Sequence, residues 1–464
     1  MNGVLESIKL ALWGTPLLVL LIGVGCYLTI ILRGVQFRYL WRSLKLMFKS
    51  DQENAKGDIS PFQSLMTSMA SAVGTGSIVG MATAITIGGM GVVFWLWIMA
   101  FISMAIKYAE SLLAVKYRVV DSDGSMSGGP MYYIERGLGW KPLAMAFAAF
   151  ASIAAIGTGN LVQVNSIADA MQNACGMPPF VTGLIVTLIS CSILFGGIKS
   201  IGKVSGWLVP FMAGFYIVAG IIVILCHMEN LPDTISLIFR SAFTGQAAFG
   251  AFMGSTMGMA VQMGIARCAF CSEAGLGIAS IASAAAKTSS SGRQAMMSMT
   301  GTLLSISLIC TITAFVIGVT NSLGKVGPNG TVLNGASLVI ESFSDVLSVG
   351  KFIVIIGLVL FALTTMIAWA YYGEKCFEYL FGINSIKAYR TVYVALIMPG
   401  SIFALEVVWN FADIMNALMV IPNMIALLGL SGVIQKETKE FIASERAPEP
   451  SLGSTANTPT PSSI

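Results

Sequence analysis

The sequence predicts an all-α polytopic membrane protein, and three observations carry that prediction. Only 10% of the 464 residues are charged while 56% are apolar, against about 25% and 45–50% in soluble domains. The length alone would suit about three soluble domains, but a water-facing surface cannot be covered with so few charges. Eleven stretches meet or approach the roughly 20 apolar residues that a helix needs to cross hydrocarbon. Basic residues then gather in alternate connections, as they do in polytopic proteins. The net charge of +4 is too small and too dispersed to suggest a nucleic-acid partner.

The spans are expected near 12–32, 62–88, 92–115, 145–171, 181–197, 206–226, 246–268, 296–320, 351–373, 391–408 and 413–433. The first is too long for a signal-peptide core and its start carries Glu6 and Lys9, so it is read as a retained helix. One side of the membrane receives 21 Lys and Arg, beginning with Arg33, Arg38, Arg42, Lys45, Lys49 and Lys56 and ending with Lys436, Lys439 and Arg446. The other side collects Lys9, Arg240, Lys325 and Lys351. The asymmetry places the N-terminus outside and the C-terminus in the cytoplasm, which requires an odd number of spans.

The chain divides accordingly. Residues 1–61 supply one helix and a basic cytoplasmic loop, 62–226 a first set of five helices, 227–245 an outer connection and 246–433 a second set of five. Residues 434–464 form a cytoplasmic tail, whose Pro, Ser and Thr-rich end cannot bury enough surface to order itself. The outer connections 227–245 and 321–350 suit short interfacial helices over the mouth of a site.

Eight cysteines do not form a disulfide framework here, since five of them lie in or beside apolar runs. Cys268 and Cys271 have a metal-binding spacing, but a tetrahedral zinc needs four ligands and the only histidine, His227, is in another loop.

Most of the 49 glycines read as small contacts between packed helices. Two clusters read differently. The second span carries Gly74-Thr75-Gly76-Ser77 at its midpoint, and the seventh carries Gly250, Gly254 and Gly258 around Ser255 and Thr256. Unwound backbone at membrane depth survives only where protein, water or ligand satisfies it. Two interrupted helices at matching places in two halves point to the binding site of a secondary transporter. With the first helix set aside, each half of five spans opens on one of these segments, and the halves run in opposite senses.

Other polar residues gather around such a site. Asn165 and Asp169 share a face of the fourth span, and Thr365 and Trp369 a face of the ninth. Hydroxyls and carbonyls suit a dehydrated alkali cation. Lys107 and Glu110 read as a structural pair, and Ser272-Glu273-Ala274-Gly275-Leu276-Gly277 as a cytoplasmic loop or re-entrant element.

These residues resemble the alanine or glycine:cation symporter family, the sodium:alanine symporters, over about residues 60 to 440. The likeness rests on Gly74-Thr75-Gly76, Lys107-Tyr108-Ala109-Glu110, Gly128-Gly129-Pro130-Met131-Tyr132-Tyr133, Asn165-Ser166-Ile167-Ala168, Glu273-Ala274-Gly275-Leu276-Gly277, Tyr372-Gly373-Glu374-Lys375 and Ile421-Pro422-Asn423. The resemblance implies the leucine-transporter-type fold, a five-plus-five inverted repeat with one extra N-terminal helix. It also implies import of alanine, glycine or D-alanine driven by sodium, with no other cofactor, by a monomer in the lipid of a bacterial inner membrane.

Carried over by position, the family's sodium site maps to the carbonyls of Ala70, Val73 and Phe361 and the hydroxyls of Thr364 and Thr365. The substrate carboxylate falls to the backbone of Thr75, Gly76 and Ser77, its ammonium to carbonyls near Gly254 and Ser255, with Asn165 as a polar partner. Trp369, Met257 and Phe252 are expected to enclose the side chain. Ser77 stands where many members have Asn. A proton-driven variant would use Asp169 or Glu406. An enzyme would need a cluster of His, Asp or Glu within the spans, and the sequence offers none. A solute sensor would need an output domain, and no connection is long enough for one.

Overall fold

The computed structural model describes residues 7–8, 11–47, 55–244, 255–327, 330–402 and 406–445. Phe252, Gly254 and the Pro, Ser and Thr-rich tail lie outside the described residues. Among the described residues the chain is mostly helical, with one small antiparallel hairpin pairing Val119–Val120 with Met126–Ser127.

Among the described residues six helices are long and apolar enough to cross a membrane: Val92–Lys116, Lys141–Asn173, Gly197–Cys226, Ser291–Val319, Gly350–Phe381 and Asn410–Gly429. The pair Pro61–Ala72 and Gly76–Gly88 makes a seventh if its two limbs count as one span. Thr15–Ile31 and Pro179–Leu194 are apolar but shorter. Their 17 and 16 residues rise about 24–26 Å, somewhat less than the roughly 30 Å of hydrocarbon. The tenth expected span is divided into Ile386–Ala395 and Ile397–Ile402. The outer connection after Cys226 is itself helical, Leu231–Thr244.

Local chemistry sets the ends of the bent pair. Ser60 caps the first limb reciprocally with Gln63, and Pro61 takes the first helical position, where its missing N–H costs nothing. The limb stops at Ala72, and the second limb restarts in a wide π turn at Gly76–Gly80, inclined by 53°. The bend fits closely around its neighbour: a Cβ at Gly74 would stand 2.7 Å from Thr365 Oγ1.

A second interruption lies just beyond the expected seventh span, while Gly250 and Gly254 of the glycine comb lie outside the described residues. Gly258 is helical, and Met257–Ser272 runs on unbroken past Gly264, packed against Val92 and Trp95. It ends at Glu273, which is left-handed with φ 54°, followed by Gly275 and Gly277 at φ 95° and 76°. Of the two readings of residues 272–277, a cytoplasmic loop or a re-entrant element, the second fits this break beside the first bend, since Ser71 Oγ donates to Glu273 Oε2 at 2.7 Å.

Neighbouring helices satisfy this exposed backbone. Lys107 Nζ donates to Ser272 O at 3.0 Å, Gly275 N donates to Glu110 Oε1 at 2.9 Å, and Asn423 Nδ2 donates to Gly275 O at 2.8 Å. Tyr133 donates in turn to Asn423 Oδ1. Lys107 and Glu110, expected as a simple pair, each support the break. Charged and amide groups so deep are tolerated because each has a partner.

Candidate functional site

The two interruptions face one another across a cavity of about 740 Å³, within the range of about 300–1,000 Å³ usual for ligand pockets. Ser71, Thr365, Trp369 and Glu273 line it together with the bend at Gly74–Gly76, and Lys351, Asn173 and Ser337 line it farther along the same helices. Lys351 Nζ donates to Asn173 O at 3.2 Å, tying two of the surrounding helices together.

One wall comes from Lys141–Asn173, which carries its own π turn at Gly157–Leu161. There a Cβ at Gly159 would fall 2.3 Å from the Cβ of Trp369, so the two helices touch at this glycine. The turn delivers Thr158, Gln163, Asn165 and Asp169 to the cavity. Thr75 Oγ1 donates to Gln163 Oε1 at 3.3 Å, Gln163 Nε2 to Thr158 O at 3.1 Å, and Asn416 Nδ2 to Thr158 Oγ1 at 2.8 Å. These bonds tie the bend to two other helices and hold its polar wall in place.

At the bend, three of the five expected cation-site residues meet. Thr365 Oγ1 lies 3.0 Å from Ala70 O and 2.8 Å from Phe361 O. A hydroxyl has one proton, so at any instant one of these carbonyls faces an oxygen lone pair. Val73 follows the helix end directly, at ψ 73°, next to the Gly74 that touches Thr365. Thr364 points differently: its hydroxyl bonds Leu360 O and Phe361 O at 3.0 Å and faces Met212 Sδ at 3.5 Å, toward Gly197–Cys226.

The other expected residues divide. Thr75, Gly76, Asn165 and Trp369 line the cavity. Ser77 does not: it is fully buried, its N–H donates to Gly74 O at 3.1 Å, and its carbonyl accepts from Thr313. The π turn carries one residue more per turn than an α-helix and swings Ser77 to the far side. Ser255 and Met257 are likewise outside the lining, with Met257 42% exposed at the start of its helix.

Two charged residues of the cavity escape sequence reasoning. Arg267, counted with the cytoplasmic cations, stands in Met257–Ser272 with its guanidinium over the π turn; Nη1 would lie 3.6 Å from a Cβ at Gly76 and 2.0 Å from one at Gly80. Glycines there leave room for the guanidinium. Glu273 is the other, buried beside Ser71. The expected span 246–268 ends one residue after Arg267, which sets both charges at its cytoplasmic edge instead of beside the cavity.

The bend, the second break and the polar cavity lie among long apolar helices, the arrangement of a helical membrane protein built around a central site. Among solved structures, MhsT in complex with L-phenylalanine aligns with a TM-score of 0.57 at 15% identity, over 84% of this chain and 97% of that one. A manganese transporter of Eremococcus coleocola gives 0.52 at 14%, over 83% of each. The chain belongs to the sodium:alanine symporter family, whose model matches residues 1–452, more of the chain than its motifs span.

Relatives agree. The sodium/alanine symporter AgcS of Methanococcus maripaludis is 48% identical over 94% of this chain and 96% of its own. A probable sodium/glutamine symporter, GlnT of Bacillus subtilis, is 36% identical over 94% and 90%. The protein is thus an integral membrane transporter and not an enzyme.

Proposed function

We propose that this protein imports small neutral amino acids, alanine, glycine or D-alanine, together with sodium, by alternating access. The observation that carries the reading is the meeting of the Ala70 and Phe361 carbonyls on the single hydroxyl of Thr365. A sodium ion, which prefers oxygen ligands, would relieve the oxygen–oxygen repulsion left by one shared proton. Val73 and Thr364 complete the set. The 48% identical relative is a sodium/alanine symporter, which supports both solutes.

The cavity suits a zwitterion. The carboxylate is taken by the backbone of Thr75 and Gly76 and by Arg267, whose planar fork fits a carboxylate. The ammonium is directed to Glu273, in place of the Gly254 and Ser255 carbonyls, with Asn165 and Gln163 as polar partners. Trp369 closes the floor on a small side chain. Since Ala70 and Val73 belong to the same bend as Gly74–Gly76, each solute stabilises the other's site, a reciprocal coupling of about 1–3 kcal/mol.

In this reading the chain crosses a bacterial inner membrane eleven times and functions as a monomer, with its N-terminus outside and its C-terminus in the cytoplasm. Residues 62–226 and 246–433 form an inverted five-plus-five repeat that rocks around the site. Tryptophan emission tests the pocket. Alanine added to the purified protein is expected to change the emission in sodium but not in potassium, and Trp369→Phe to remove the change. An equal response in potassium would count against the coupling.

A further inference from the structure

A second, smaller cavity of about 210 Å³ lies between the end of Thr15–Ile31, the turn that follows it and the helix Ser431–Ser444. Gln435 Nε2 donates to Ile31 O at 3.2 Å and fixes the two helices side by side. Arg33, Arg38 and Lys439 line the cavity, over an apolar base that includes Leu32 and Ile442.

These three cations have no carboxylate partner among the described residues, because the nearby acids are engaged elsewhere. Glu445 pairs with Arg42, Glu437 with Lys116, and Glu440 lies 3.9 Å from Lys436. Arg38 rests over the Tyr39 ring at 5.7 Å, which leaves its N–H edges available. Three like charges around one small cavity repel each other unless an anion joins them.

The backbone is arranged at some cost to hold one of them. Arg33 is left-handed at φ 54°, immediately before Gly34 at φ 64°. Glycine is the usual residue in that conformation, and a side chain kept there despite the strain often has a use.

The surroundings indicate depth in the membrane. The short helices Val35–Arg38 and Leu40–Leu46 carry Phe37 and Trp41 outward, 58% and 71% exposed, with Lys45 Nζ 5.6 Å from the Trp41 ring. Outward aromatics beside basic residues mark the headgroup level. From there Ile30 and Tyr27 continue as an exposed apolar strip along Thr15–Ile31.

We propose that this cavity binds the phosphate of an anionic phospholipid headgroup. Arg33 and Arg38 offer forked donors to the phosphate oxygens and Lys439 a point charge, while an acyl chain lies along Ile30 and Tyr27. Phosphatidylcholine carries the same phosphate but adds a cation that these three residues repel, so the site selects net negative headgroups. The site needs only the membrane setting and is independent of which solute is transported.

Native mass spectrometry of the purified protein tests this with phosphatidylglycerol, phosphatidylcholine and inorganic phosphate as probes. The wild type is expected to retain phosphatidylglycerol several-fold better than phosphatidylcholine. R33Q/R38Q/K439Q should lose that preference, R33K/R38K/K439R should keep it, and K199Q/K203Q, at the start of the helix Gly197–Cys226, should match the wild type. Arg33→Gly separates binding from folding: retention should fall while thermal stability holds or rises, because glycine adopts φ 54° without strain. Equal retention by the wild type and the triple glutamine variant would overturn the proposal. Displacement of the lipid by millimolar inorganic phosphate would overturn its assignment to a lipid.

Discussion

Thr365→Ala removes one buried oxygen and leaves the surrounding helix intact. In the wild type this hydroxyl is 2% exposed and meets Ala70 O at 3.0 Å and Phe361 O at 2.8 Å. Without sodium the variant loses the one hydrogen bond this hydroxyl can donate, at a cost of about 1–3 kcal/mol for the buried carbonyl left without a donor. With sodium it loses a cation ligand, and an interaction with a charged group contributes about 1.5–3 kcal/mol. The second loss translates to a roughly 10- to 150-fold rise in the sodium concentration for half-maximal uptake, at about 1.4 kcal/mol per factor of ten. The assay is alanine uptake into proteoliposomes over a sodium titration, with Thr365→Ser beside it. Serine restores the oxygen and should fall within a few-fold of the wild type. Unchanged sodium dependence in the alanine variant, with normal protein in the vesicles, would refute the placement of the cation at this bend.

Further predictions concern the second break and the opposite end of the molecule. Gly275→Ala should destabilise the protein by at least about 1–2 kcal/mol, since φ is 95° and the new Cβ would lie 2.3 Å from Leu21 Cδ2; an unchanged melting curve would contradict this. Glu273→Gln keeps an acceptor for Ser71 but removes the charge, so the KM for alanine should rise about tenfold or more, while an unaltered KM would remove Glu273 from ammonium recognition. Arg118 gathers the carbonyls of Lys56, Ala284, Ala286 and Thr288 at 2.7–3.1 Å. Arg118→Gln should therefore speed hydrogen exchange in 56–60 and 284–288 by roughly tenfold, and equal exchange would show that the segment is held by other contacts.

What the sequence reveals of this architecture follows its physics. Gly74-Thr75-Gly76 stands out because nothing near it explains small residues in the middle of an apolar span, and the helix bends there by 53°. Asn165 and Asp169 share a face because the helix around them is regular, and both line the cavity. The second break is hidden by two opposed cues. Gly250, Gly254 and Gly258 draw attention to the start of the seventh span, where only Gly258 is among the described residues and lies in continuous helix. Glu273 and its glycines look like a solvent loop, because their partners Lys107, Glu110 and Asn423 come from sequence positions more than a hundred residues away. No periodicity within one segment conveys such support. Ser77 falls outside the cavity lining for a local reason, the register shift of a π turn that no residue pattern announces.

The central claim is that sodium drives amino-acid entry through the cavity between the two breaks. Its most direct test is uptake of labelled alanine into proteoliposomes, first under an inward sodium gradient at equal pH, then under a proton gradient with sodium absent. The account predicts accumulation with sodium and none with protons alone. Uptake driven by protons without sodium would contradict it and move the coupling from Thr365 to a carboxylate of the cavity, Asp169 or Glu273.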